Sequence, residues 1–350
     1  MGFQIPEKLK NLQIYDPVTE TYRVRLDANE SFIDLPEQIR QAVVEAVAKI
    51  EFNRYPDPLA GELCRKFGNF FHVKPELLTA GNGSDELISI IISGFLEPGQ
   101  TLLTVMPDFS MYVFYAQSVG AKAEILQKGE NMEISADDVI ARAEETDAKL
   151  IIFSNPCNPT SLNLDRQDIL RIVGRVNALV VVDEAYMDFA EGSVLDEIEN
   201  YSNLIGLKTC SKAFGMAAIR LGMAAANKEI TGILRTIKSP YNVNAMTQAA
   251  GCAILEQKEY LKECIAKIRK SAAWLQEKMF ALQEQKTEIK KVYPSSTNFI
   301  YMKTERAEEV FESLKKEGIS IRFMNGYLRI AAGSEKENEE LIQALDRLFC

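Results

Sequence analysis

The chain has 350 residues, of which 47% are hydrophobic and 26% are charged, and its formal net charge is −10. This length and composition predict a globular protein with two domains. The negative charge argues against nucleic-acid and anionic-membrane partners, and no apolar stretch reaches the roughly 20 residues that a membrane-spanning helix needs.

The chain begins with an irregular arm, which contains Pro6 and Pro17 and is predicted to cover residues 1–31. Farther on, TAGNGSDELISIIISGFL (79–96) predicts a glycine-rich turn that leads into an apolar helix. Free N–H groups at such a helix start bind phosphate. The turn matches neither the dinucleotide fingerprint nor a Walker A loop, and ordinary α/β turns often have a similar sequence.

Short β-rich runs alternate with amphipathic segments through the middle of the chain. Segments 111–120 and 165–177 have apolar residues at helical spacing. The runs predicted to be buried strands are 101–105, 149–153, 178–183 and 203–207. This alternation predicts an α/β fold with a mostly parallel sheet. Because ligands bind at the carboxyl ends of such strands, we expect the chemistry just after each run.

The last third of the chain predicts a smaller α+β domain. Helical segments extend to about residue 288 and are followed by strands at 297–303 and 327–332, with a helix between them and another at the end. The predicted organisation is therefore an arm over residues 1–31, a large α/β domain over 32–240 and a small domain over 241–350.

Polar residues follow two of the predicted strands. The segment SNPCNPTS (154–161) contains two Asn-Pro steps, which force a tight, extended turn and present asparagine amides, although an ordinary strand-to-helix turn would look the same. Asp183 ends the strand at 178–183. A buried aspartate at that position needs a positive partner, unless it serves as a helix N-cap.

The stretch LKTCSKAFGMAAIRLG (207–222) follows the next strand and places Lys212 among small and apolar residues. We expect Lys212 to lack a charged neighbour. A lysine buried in such a setting loses its proton more readily, which is the condition for a Schiff-base lysine. The alternative is a lysine at a helix start that extends along the surface to reach water.

The single histidine, His72, and the six cysteines limit the chemistry further. We expect His72 at the surface near a helix end, so that proton transfer falls to lysine, tyrosine, cysteine or carboxylates. One histidine cannot build a multi-histidine metal site, and no metal is expected. The cysteines form no Cys-x-x-Cys pair, which argues against disulfides and favours a cytoplasmic protein.

Together these features match the needs of pyridoxal 5′-phosphate. This cofactor requires a lysine for an imine, a carboxylate for its ring nitrogen, a phosphate cradle with a cation and hydrogen-bond donors at its ring hydroxyl. The residues that supply these groups are Lys212, Asp183, the turn 83–85 with Ser211 and Arg220, and Asn158 with Tyr186.

Seven motifs in a fixed order make the chain similar to a known family. They are LDANES (26–31), RYPDP (54–58), GNGSDE (81–86), NPCNPT (155–160), VVDEAYMDF (181–189), SKAFGMAAIRLG (211–222) and LRIAAG (328–333). The chain resembles the fold-type-I, pyridoxal-phosphate-dependent aminotransferases of classes I and II, whose large domain is like that of aspartate aminotransferase. Within that family it looks most like the histidinol-phosphate branch.

The resemblance implies roles for the residues around the cofactor. Lys212 would bind it covalently and later carry a proton, while Asp183 would keep its ring nitrogen protonated. Asn158 and Tyr186 would hydrogen-bond its ring hydroxyl. The other residues implied at the cofactor, which stack on the ring or surround the phosphate, are Gly83, Ser84, Asp85, Phe109, Thr209, Ser211 and Arg220.

The resemblance also implies contacts with the substrate and with a second subunit. Arg329 would grip a substrate carboxylate, although a strand-end salt bridge would also explain it. Arg322 and Tyr15 would meet the substrate phosphate, and Asn29 would also contact the substrate. Tyr55 would reach the phosphate site of a neighbouring subunit in a homodimer with shared active sites. Its alternative is a surface turn fixed by prolines.

The sequence departs from the family pattern at several positions. Phe109 replaces a tyrosine that often stacks on the cofactor, and Cys157 and Ser161 replace the more usual asparagine and glycine. Because Cys157 and Cys210 adjoin cofactor-binding residues, we expect both thiols to flank the cofactor, where their modification would inactivate the protein. The alternative for both cysteines is a structural role, in which a small buried side chain packs in the core.

The activity implied by the resemblance is transfer of the amino group of L-histidinol phosphate to 2-oxoglutarate, a step of histidine biosynthesis. An aromatic or broad-specificity aminotransferase and a phosphothreonine-type decarboxylase are alternatives on the same fold. A non-catalytic protein that binds the cofactor and a dinucleotide-dependent oxidoreductase are alternatives from other classes. Intact Lys212, Asp183 and Arg329 argue against the former, and the missing glycine fingerprint argues against the latter.

Overall fold

A computed structural model describes residues 3–10, 12 and 20–349. The α-helices are α1 Glu7–Lys10, α2 Glu37–Ala48, α3 Gly61–Phe71, α4 Gly83–Phe95, α5 Met111–Val119, α6 Ala136–Glu145, α7 Arg166–Arg175, α8 Lys228–Ile237, α9 Ala245–Leu255, α10 Lys258–Gln285, α11 Ala307–Lys316 and α12 Glu335–Leu348. The strands are β1 Val24–Arg25, β2 Leu78–Asn82, β3 Thr101–Met106, β4 Lys122–Gln127, β5 Leu150–Ser154, β6 Leu179–Asp183, β7 Leu204–Thr209, β8 Leu221–Ala226, β9 Ile289–Val292, β10 Phe299–Thr304, β11 Ile319–Ser320, β12 Arg322–Met324 and β13 Tyr327–Ala331.

The larger sheet confirms the predicted α/β fold. Within the described residues it has seven strands in the order β2-β8-β7-β6-β5-β3-β4. Only β8 runs antiparallel to its neighbours. Helices α4, α5 and α8 bury apolar side chains such as Leu87 and Leu234 on one face, and α6 and α7 bury Val139 and Ile172 on the other. A mostly parallel sheet covered on both faces brings the strand ends to one edge.

Several helices begin where the sequence provides a capping side chain. The side chains of Ser135 and Asp165 accept backbone N–H groups in the first turns of α6 and α7. Ser334 and Glu337 form a reciprocal capping box at α12. Such caps satisfy N–H groups that have no partner inside the helix.

The predicted β–α–β–α tail is confirmed as a second, smaller sheet. In the described part of the chain its four strands are antiparallel in the order β12-β13-β10-β9, with α10, α11 and α12 packed against them. Arg322 on β12 lies opposite Arg329 on β13. The sequence prediction missed the short strands β9 and β12. The domain boundaries after residues 31 and 240 stay a prediction.

The segment after residue 23 is more ordered than the predicted irregular arm. β1 pairs with β11 in parallel, and the N–H of Leu26 donates to the carbonyl of Ser320 at 2.8 Å. The N–H of Ala331 donates to the carbonyl of Leu26 at 2.9 Å. These bonds fix residues 26–30 beside the smaller sheet and direct them towards the carboxyl edge of the larger one.

The described helices differ from membrane-spanning helices in length or in composition. None of the helices formed by the described residues is both long enough and apolar enough to cross a bilayer. The longest of them, α10, contains many charged residues and packs against the smaller sheet.

Candidate active site

A cavity of about 490 Å³ lies at the carboxyl ends of β5, β6 and β7. Most of the residues singled out from the sequence line it, although they come from distant parts of the chain. They are Asn29, Ser84, Asp85, Phe109, Asn158, Asp183, Tyr186, Thr209, Ser211, Lys212, Arg220, Arg322 and Arg329. The cavity lies between the larger sheet, the smaller sheet and the segment 25–30.

Lys212 follows β7 and its amine faces this cavity. Its Nζ donates to the carbonyl oxygen of Ala28 at 2.8 Å. Burial lowers the pKa of the Lys212 ammonium to about 8, with further lowering by the positive charges of Arg329 and Arg220 and an opposing effect of Glu30. A minor but appreciable fraction of the amine, about a tenth at pH 7, is therefore neutral, far more than in a surface lysine.

The expectation that Lys212 lacks a charged neighbour in sequence was wrong. Lys208 lies four residues earlier on β7, where it is buried and its Nζ lies 2.8 Å from Asp188 and 3.7 Å from Glu184. Side chains alternate between the two faces of a strand, so residues four apart share a face. The spacing of Lys208 and Lys212 alone would therefore place both lysines on the same side of the sheet. The chain leaves the strand after Thr209, and this turn sends Lys212 into the cavity and leaves Lys208 in an ion-pair cluster.

Asp183 ends β6 and is buried at the floor of the cavity. Its Oδ1 accepts the N–H of Ala185 at 3.1 Å, and its Oδ2 accepts the hydroxyl of Tyr112 at 2.8 Å. Burial raises the pKa of the Asp183 carboxyl to about 7 in spite of these two donors. The N-cap alternative was partly right, because the carboxylate does cap a turn, which continues as a 3₁₀ segment at Met187–Phe189.

A group of backbone and side-chain donors forms a cradle for an anion. Gly83 begins α4 with a φ of +78°, and the first N–H groups of that helix have no partner inside it. A β-carbon on Gly83 would lie 2.8 Å from a guanidinium nitrogen of Arg220. Nη1 of Arg220 also donates to the Ser211 hydroxyl at 3.5 Å. Helix N-terminus, arginine and hydroxyls thus converge on one position.

The cradle also depends on close backbone packing and contains one carboxyl group. A β-carbon on Gly222 of β8 would lie 2.4 Å from Gly83 C and from Ser84 N, so the helix start rests directly on the strand. Oδ1 of Asp85 is buried and has no hydrogen-bond partner among the described residues. Burial raises the pKa of the Asp85 carboxyl, and the Arg220 charge opposes that rise.

The Asn-Pro turn after β5 connects the two sheets. Both of its Asn-Pro bonds are cis. Oδ1 of Asn158 accepts a hydrogen bond from Arg329 at 2.7 Å, and Arg329 also donates to the carbonyl of Asp27 at 2.6 Å. The hydroxyl of Tyr186 accepts from Nδ2 of Asn29 at 2.9 Å. The Asn158 amide and the Tyr186 hydroxyl therefore keep protons to donate into the cavity.

Two of the predicted residues that the structure describes, Gly83 and Tyr55, do not line the cavity. Gly83 lies behind the anion cradle, as its proximity to Arg220 shows. Tyr55 is 80% exposed and stacks on Tyr241 with ring centroids 4.5 Å apart. Tyr15 lies outside the described residues. The role of Tyr55 towards a second subunit stays a prediction.

The prediction that Cys157 and Cys210 flank the cofactor was wrong. Neither thiol lines the cavity. Cys210 is fully buried in the core, while Cys157 contributes to a second, smaller cavity on the other side of the Asn-Pro turn. Side chains of neighbouring residues in these turns point to opposite sides, so adjacency in sequence did not give adjacency to the site. His72 is exposed at the end of α3, as expected.

Sequence reasoning also missed residues of the site. Tyr112 lies one helical turn after Phe109 and reaches Asp183 from α5; the spacing of three residues was the available signal. Arg25 and Glu30 line the cavity and form an ion pair at 3.0 Å. Ser161 has a φ of +62°, which explains why the family usually has glycine there.

The described residues contain no recognisable cluster of metal ligands. Among the residues that the structure describes, no group of three or more histidine, cysteine, aspartate or glutamate side chains is placed to hold a metal ion. The site is instead composed of a partly neutral lysine, a buried carboxyl group and an anion cradle, which together can bind an anionic aromatic carbonyl compound and move protons.

The chain is similar to known proteins over nearly its whole length. The family model "Aminotransferase class I and II" matches residues 23–345. A histidinol-phosphate aminotransferase of Clostridium novyi is 38% identical over 343 residues, 96% of this chain and 95% of that protein. A crystal structure of the Clostridium acetobutylicum histidinol-phosphate aminotransferase has a TM-score of 0.83 at 26% identity, covering 93% of this chain and 98% of that one. The Sinorhizobium meliloti histidinol-phosphate aminotransferase in complex with pyridoxal 5′-phosphate shares the fold, with a TM-score of 0.88 at 20% identity over 100% and 98% of the chains.

Proposed function

The chain belongs to the class I and II aminotransferases, and we propose that it uses pyridoxal 5′-phosphate to transfer the amino group of L-histidinol phosphate to 2-oxoglutarate. The products are imidazole acetol phosphate and L-glutamate, as a step of histidine biosynthesis. The observation that supports this most strongly is the convergence of Lys212, Asp183 and the anion cradle in one cavity of a chain so similar to histidinol-phosphate aminotransferases.

The residues of the cavity fit pyridoxal phosphate. Burial raises the pKa of the Asp183 carboxyl to about 7, and the positive charge of a protonated pyridine nitrogen would favour its ionised form. Gly83 and Gly222 let the start of α4 pack directly against β8 and Arg220, which brings helix N–H groups and a guanidinium to one anion cradle. When bound, the cofactor supplies an aromatic ring that withdraws electrons from the substrate carbon that carries the amino group.

Lys212 has two tasks in this proposal. Its neutral amine would hold the cofactor covalently in the resting protein. Once a substrate amine takes its place, the free Lys212 amine would take up a proton from the substrate carbon at Nζ and later give it back. The lowered pKa, about 8, suits a group that must gain and lose a proton near neutral pH.

The other residues hold the ring in place. Asp183 would accept a hydrogen bond from the protonated ring nitrogen, while Asn158 and Tyr186 would donate to the ring hydroxyl. Phe109, which also contacts Tyr112 edge-to-face at 5.6 Å, stacks against the ring. The residues proposed at the phosphate are Gly83, Ser84, Asp85, Thr209, Ser211 and Arg220, with Arg220 as the counter-charge.

Two arginines of the smaller sheet select the substrates. Arg329 and Arg322 lie opposite each other on β13 and β12, and both line the cavity. We assign Arg329 to the carboxylate of glutamate and 2-oxoglutarate, because a guanidinium binds a carboxylate with two parallel hydrogen bonds. Arg322, with Tyr15 and Asn29, is assigned to the phosphate end of L-histidinol phosphate.

The proposal includes a homodimer with shared active sites in the cytoplasm. Tyr55 and Tyr241 form an exposed aromatic pair outside the cavity, so Tyr55 is available to a neighbouring subunit. A tyrosine hydroxyl from that subunit completes the phosphate site. Equilibrium sedimentation of the wild type and of Tyr55→Ala tests this: a monomeric wild type with full activity contradicts it.

The deciding experiment is a spectral titration of the purified protein. Addition of pyridoxal phosphate gives the visible absorption band of lysine-bound cofactor, and this band is lost fastest with L-histidinol phosphate among four amines. The other three are phenylalanine, tyrosine and phosphothreonine. Addition of 2-oxoglutarate restores the band and releases glutamate. Faster turnover of an aromatic amino acid, or carbon dioxide release from phosphothreonine, favours the alternative named for that substrate.

Two variants control the titration. Lys212→Ala lacks the band of covalently bound cofactor, because no other amine lines the cavity among the described residues. Lys122→Ala removes an exposed lysine on β4 and keeps it. If the wild type gives no such band with pyridoxal phosphate, the proposed function is wrong.

A further inference from the structure

Lys128 and Cys157 face each other on the side of the Asn-Pro turn that points away from the active-site cavity. The Nζ of Lys128 lies 2.8 Å from the Sγ of Cys157. This distance is as short as an ordinary N–H···O hydrogen bond, although sulfur is the larger atom. No residue with a role in the proposed reaction requires this contact.

The backbone holds both residues in position. The N–H of Lys128, just after β4, donates to the carbonyl of Met106 at 2.8 Å. The N–H of Cys157 donates to the carbonyl of Leu162 at 2.8 Å, and the carbonyl of Cys157 accepts from Ser161 at 2.8 Å. The main-chain positions of Lys128 and Cys157 are therefore fixed by two separate parts of the fold, and they bring Nζ and Sγ within reach of each other.

The charges near the pair affect the reactivity of the thiol. Burial raises the pKa of the Cys157 thiol, the carboxylate of Asp108 adds to that rise, and Lys128 opposes both. The positive charge of Lys128 and a hydrogen bond with Thr160 thus favour the thiolate against this burial, and the thiolate is the form of cysteine that reacts with oxidants.

A small cavity leads to the pair. It has a volume of about 70 Å³, and both Lys128 and Cys157 line it together with Met132, Glu133 and Asn163. A site needs only about 10–15 Å³ of such volume to admit a water molecule. Hydrogen peroxide is little larger than water, so a cavity of this volume has room for it beside the sulfur.

We propose that Lys128 and Cys157 form a redox modification site in which hydrogen peroxide joins Nζ to Sγ. The Cys157 sulfur attacks one peroxide oxygen, the O–O bond breaks, and water leaves with formation of the sulfenic acid. The hydroxide released from peroxide takes a proton from the Lys128 ammonium to leave as that water, the freed amine attacks Sγ, the S–O bond breaks, and a second water leaves. The balance is RSH + R′NH₂ + H₂O₂ → RS–NHR′ + 2 H₂O, in which sulfur loses two electrons to peroxide.

The bond is reversible by thiols. Two thiol molecules reduce the S–N bond, which returns the free cysteine and lysine and gives one disulfide. While the bond exists, Lys128 has lost the positive charge that faces Asp108, and the Asn-Pro turn is pulled towards β4. Because Asn158 follows Cys157 and accepts a hydrogen bond from Arg329, we expect lower transaminase activity in the bridged form. That last expectation rests on the proposed function.

Mass spectrometry of the peroxide-treated, cofactor-loaded protein tests the bridge. After digestion without reductant, we expect the peptides that contain residues 128 and 157 joined, with the loss of two hydrogen atoms and no added oxygen. Treatment with dithiothreitol separates them. In Lys128→Arg, which keeps the positive charge, Cys157 remains as a sulfenic acid that dimedone captures. Cys252→Ser, which removes a more exposed thiol, still forms the bridge.

Three outcomes overturn the proposal. They are recovery of wild-type Cys157 as sulfenic or sulfinic acid without a link, its pairing with another cysteine, and its lack of reaction under peroxide that oxidises Cys252. The wild-type spectrum decides this even if Lys128→Arg does not fold, and circular dichroism shows whether it does. Because the bridge is measured by mass, a protein that fails to transaminate L-histidinol phosphate still gives a decisive result.

Discussion

The hydroxyl of Tyr112 donates to Oδ2 of Asp183 at 2.8 Å, and both side chains are buried below the cavity. The two residues are 71 positions apart in sequence. The other carboxylate oxygen, Oδ1, accepts the N–H of Ala185. These two donors fix the plane of the carboxylate and favour its ionised form, against a burial that raises its pKa.

Loss of the Tyr112 hydroxyl is expected to weaken catalysis without unfolding the protein. A hydrogen bond to a charged group contributes about 1.5–3 kcal/mol, so Tyr112→Phe should lower kcat/KM about 10-fold or more. The pKa of the Asp183 carboxyl rises further, and the rate loss is greatest at low pH. Tyr201→Phe, in a partly buried tyrosine outside the cavity, is the control. Equal pH–rate profiles of wild type and Tyr112→Phe would contradict this role.

Asp183 makes the stability of the cofactor-free protein depend on pH. Its folded pKa of about 7 lies above the ordinary 3.8, so the folded state keeps a proton that the unfolded state releases between these values. Stability therefore falls as pH rises from about 4 to about 7, by up to about 4 kcal/mol from this group. Urea unfolding across that range measures the slope.

The same measurement on Asp183→Asn removes this slope, because the amide does not titrate. Glu277→Gln, in an exposed side chain of α10, leaves it unchanged. Parallel stability curves for wild type and Asp183→Asn would mean that Asp183 has an ordinary pKa in the cofactor-free protein. Saturating pyridoxal phosphate should flatten the wild-type slope, because the ring nitrogen stabilises the carboxylate.

Lys212 sets the pH dependence of cofactor capture. Only the neutral amine attacks the aldehyde, and the lowered pKa means that the ammonium loses its proton near pH 8. The rate of capture by cofactor-free protein should rise with pH and level off above about 8, as followed by stopped-flow absorbance. Glu30→Gln removes a charge that raises this pKa and shifts the profile to lower pH. Glu45→Gln on α2 does not, and a rate that still rises at pH 10 would exclude the lowered pKa.

The close packing under the anion cradle predicts a specific effect of one methyl group. In Gly222→Ala the new β-carbon would lie 2.4 Å from backbone atoms of Gly83 and Ser84. We expect a loss of about 1–3 kcal/mol of stability and weaker binding of pyridoxal phosphate. Gly232→Ala on α8 is the matched control, since a β-carbon there meets no atom of the described chain within 4 Å, and it should add up to about 1 kcal/mol. Unchanged cofactor affinity in Gly222→Ala would contradict the cradle.

Arg329 and Arg322 should affect opposite half-reactions. L-Histidinol phosphate has no carboxylate, whereas 2-oxoglutarate has two. Arg329→Lys loses a bidentate contact, so KM for 2-oxoglutarate should rise about 10-fold or more while the reaction with L-histidinol phosphate changes less. Arg322→Lys should show the reverse. Single-turnover kinetics of each half-reaction measure both variants, and equal losses in both half-reactions would refute the assignment.

Part of the fold followed from local patterns. β5, β6 and β7 were predicted because each is a short apolar run bounded by turn residues. Such a pattern is local and does not depend on the rest of the chain. β8 was not predicted, since LGMAAA has small residues that fit a strand only when Gly222 packs against the start of α4. This strand and the contact that Gly222 makes with α4 therefore form together, and the local sequence predicts neither of them.

The sequence by itself determined the large elements and the order in which Asn158, Asp183 and Lys212 follow neighbouring strands. Parallel strands bring their carboxyl ends to one edge, so this order alone placed the three side chains together. Only the tertiary structure decided that Arg329 reaches Asn158 from 171 residues away, that Tyr112 meets Asp183, and that Cys157 turns from the cofactor to Lys128. Such contacts depend on how the helices and sheets pack against each other, and the local spacing of residues along the chain does not predict that packing.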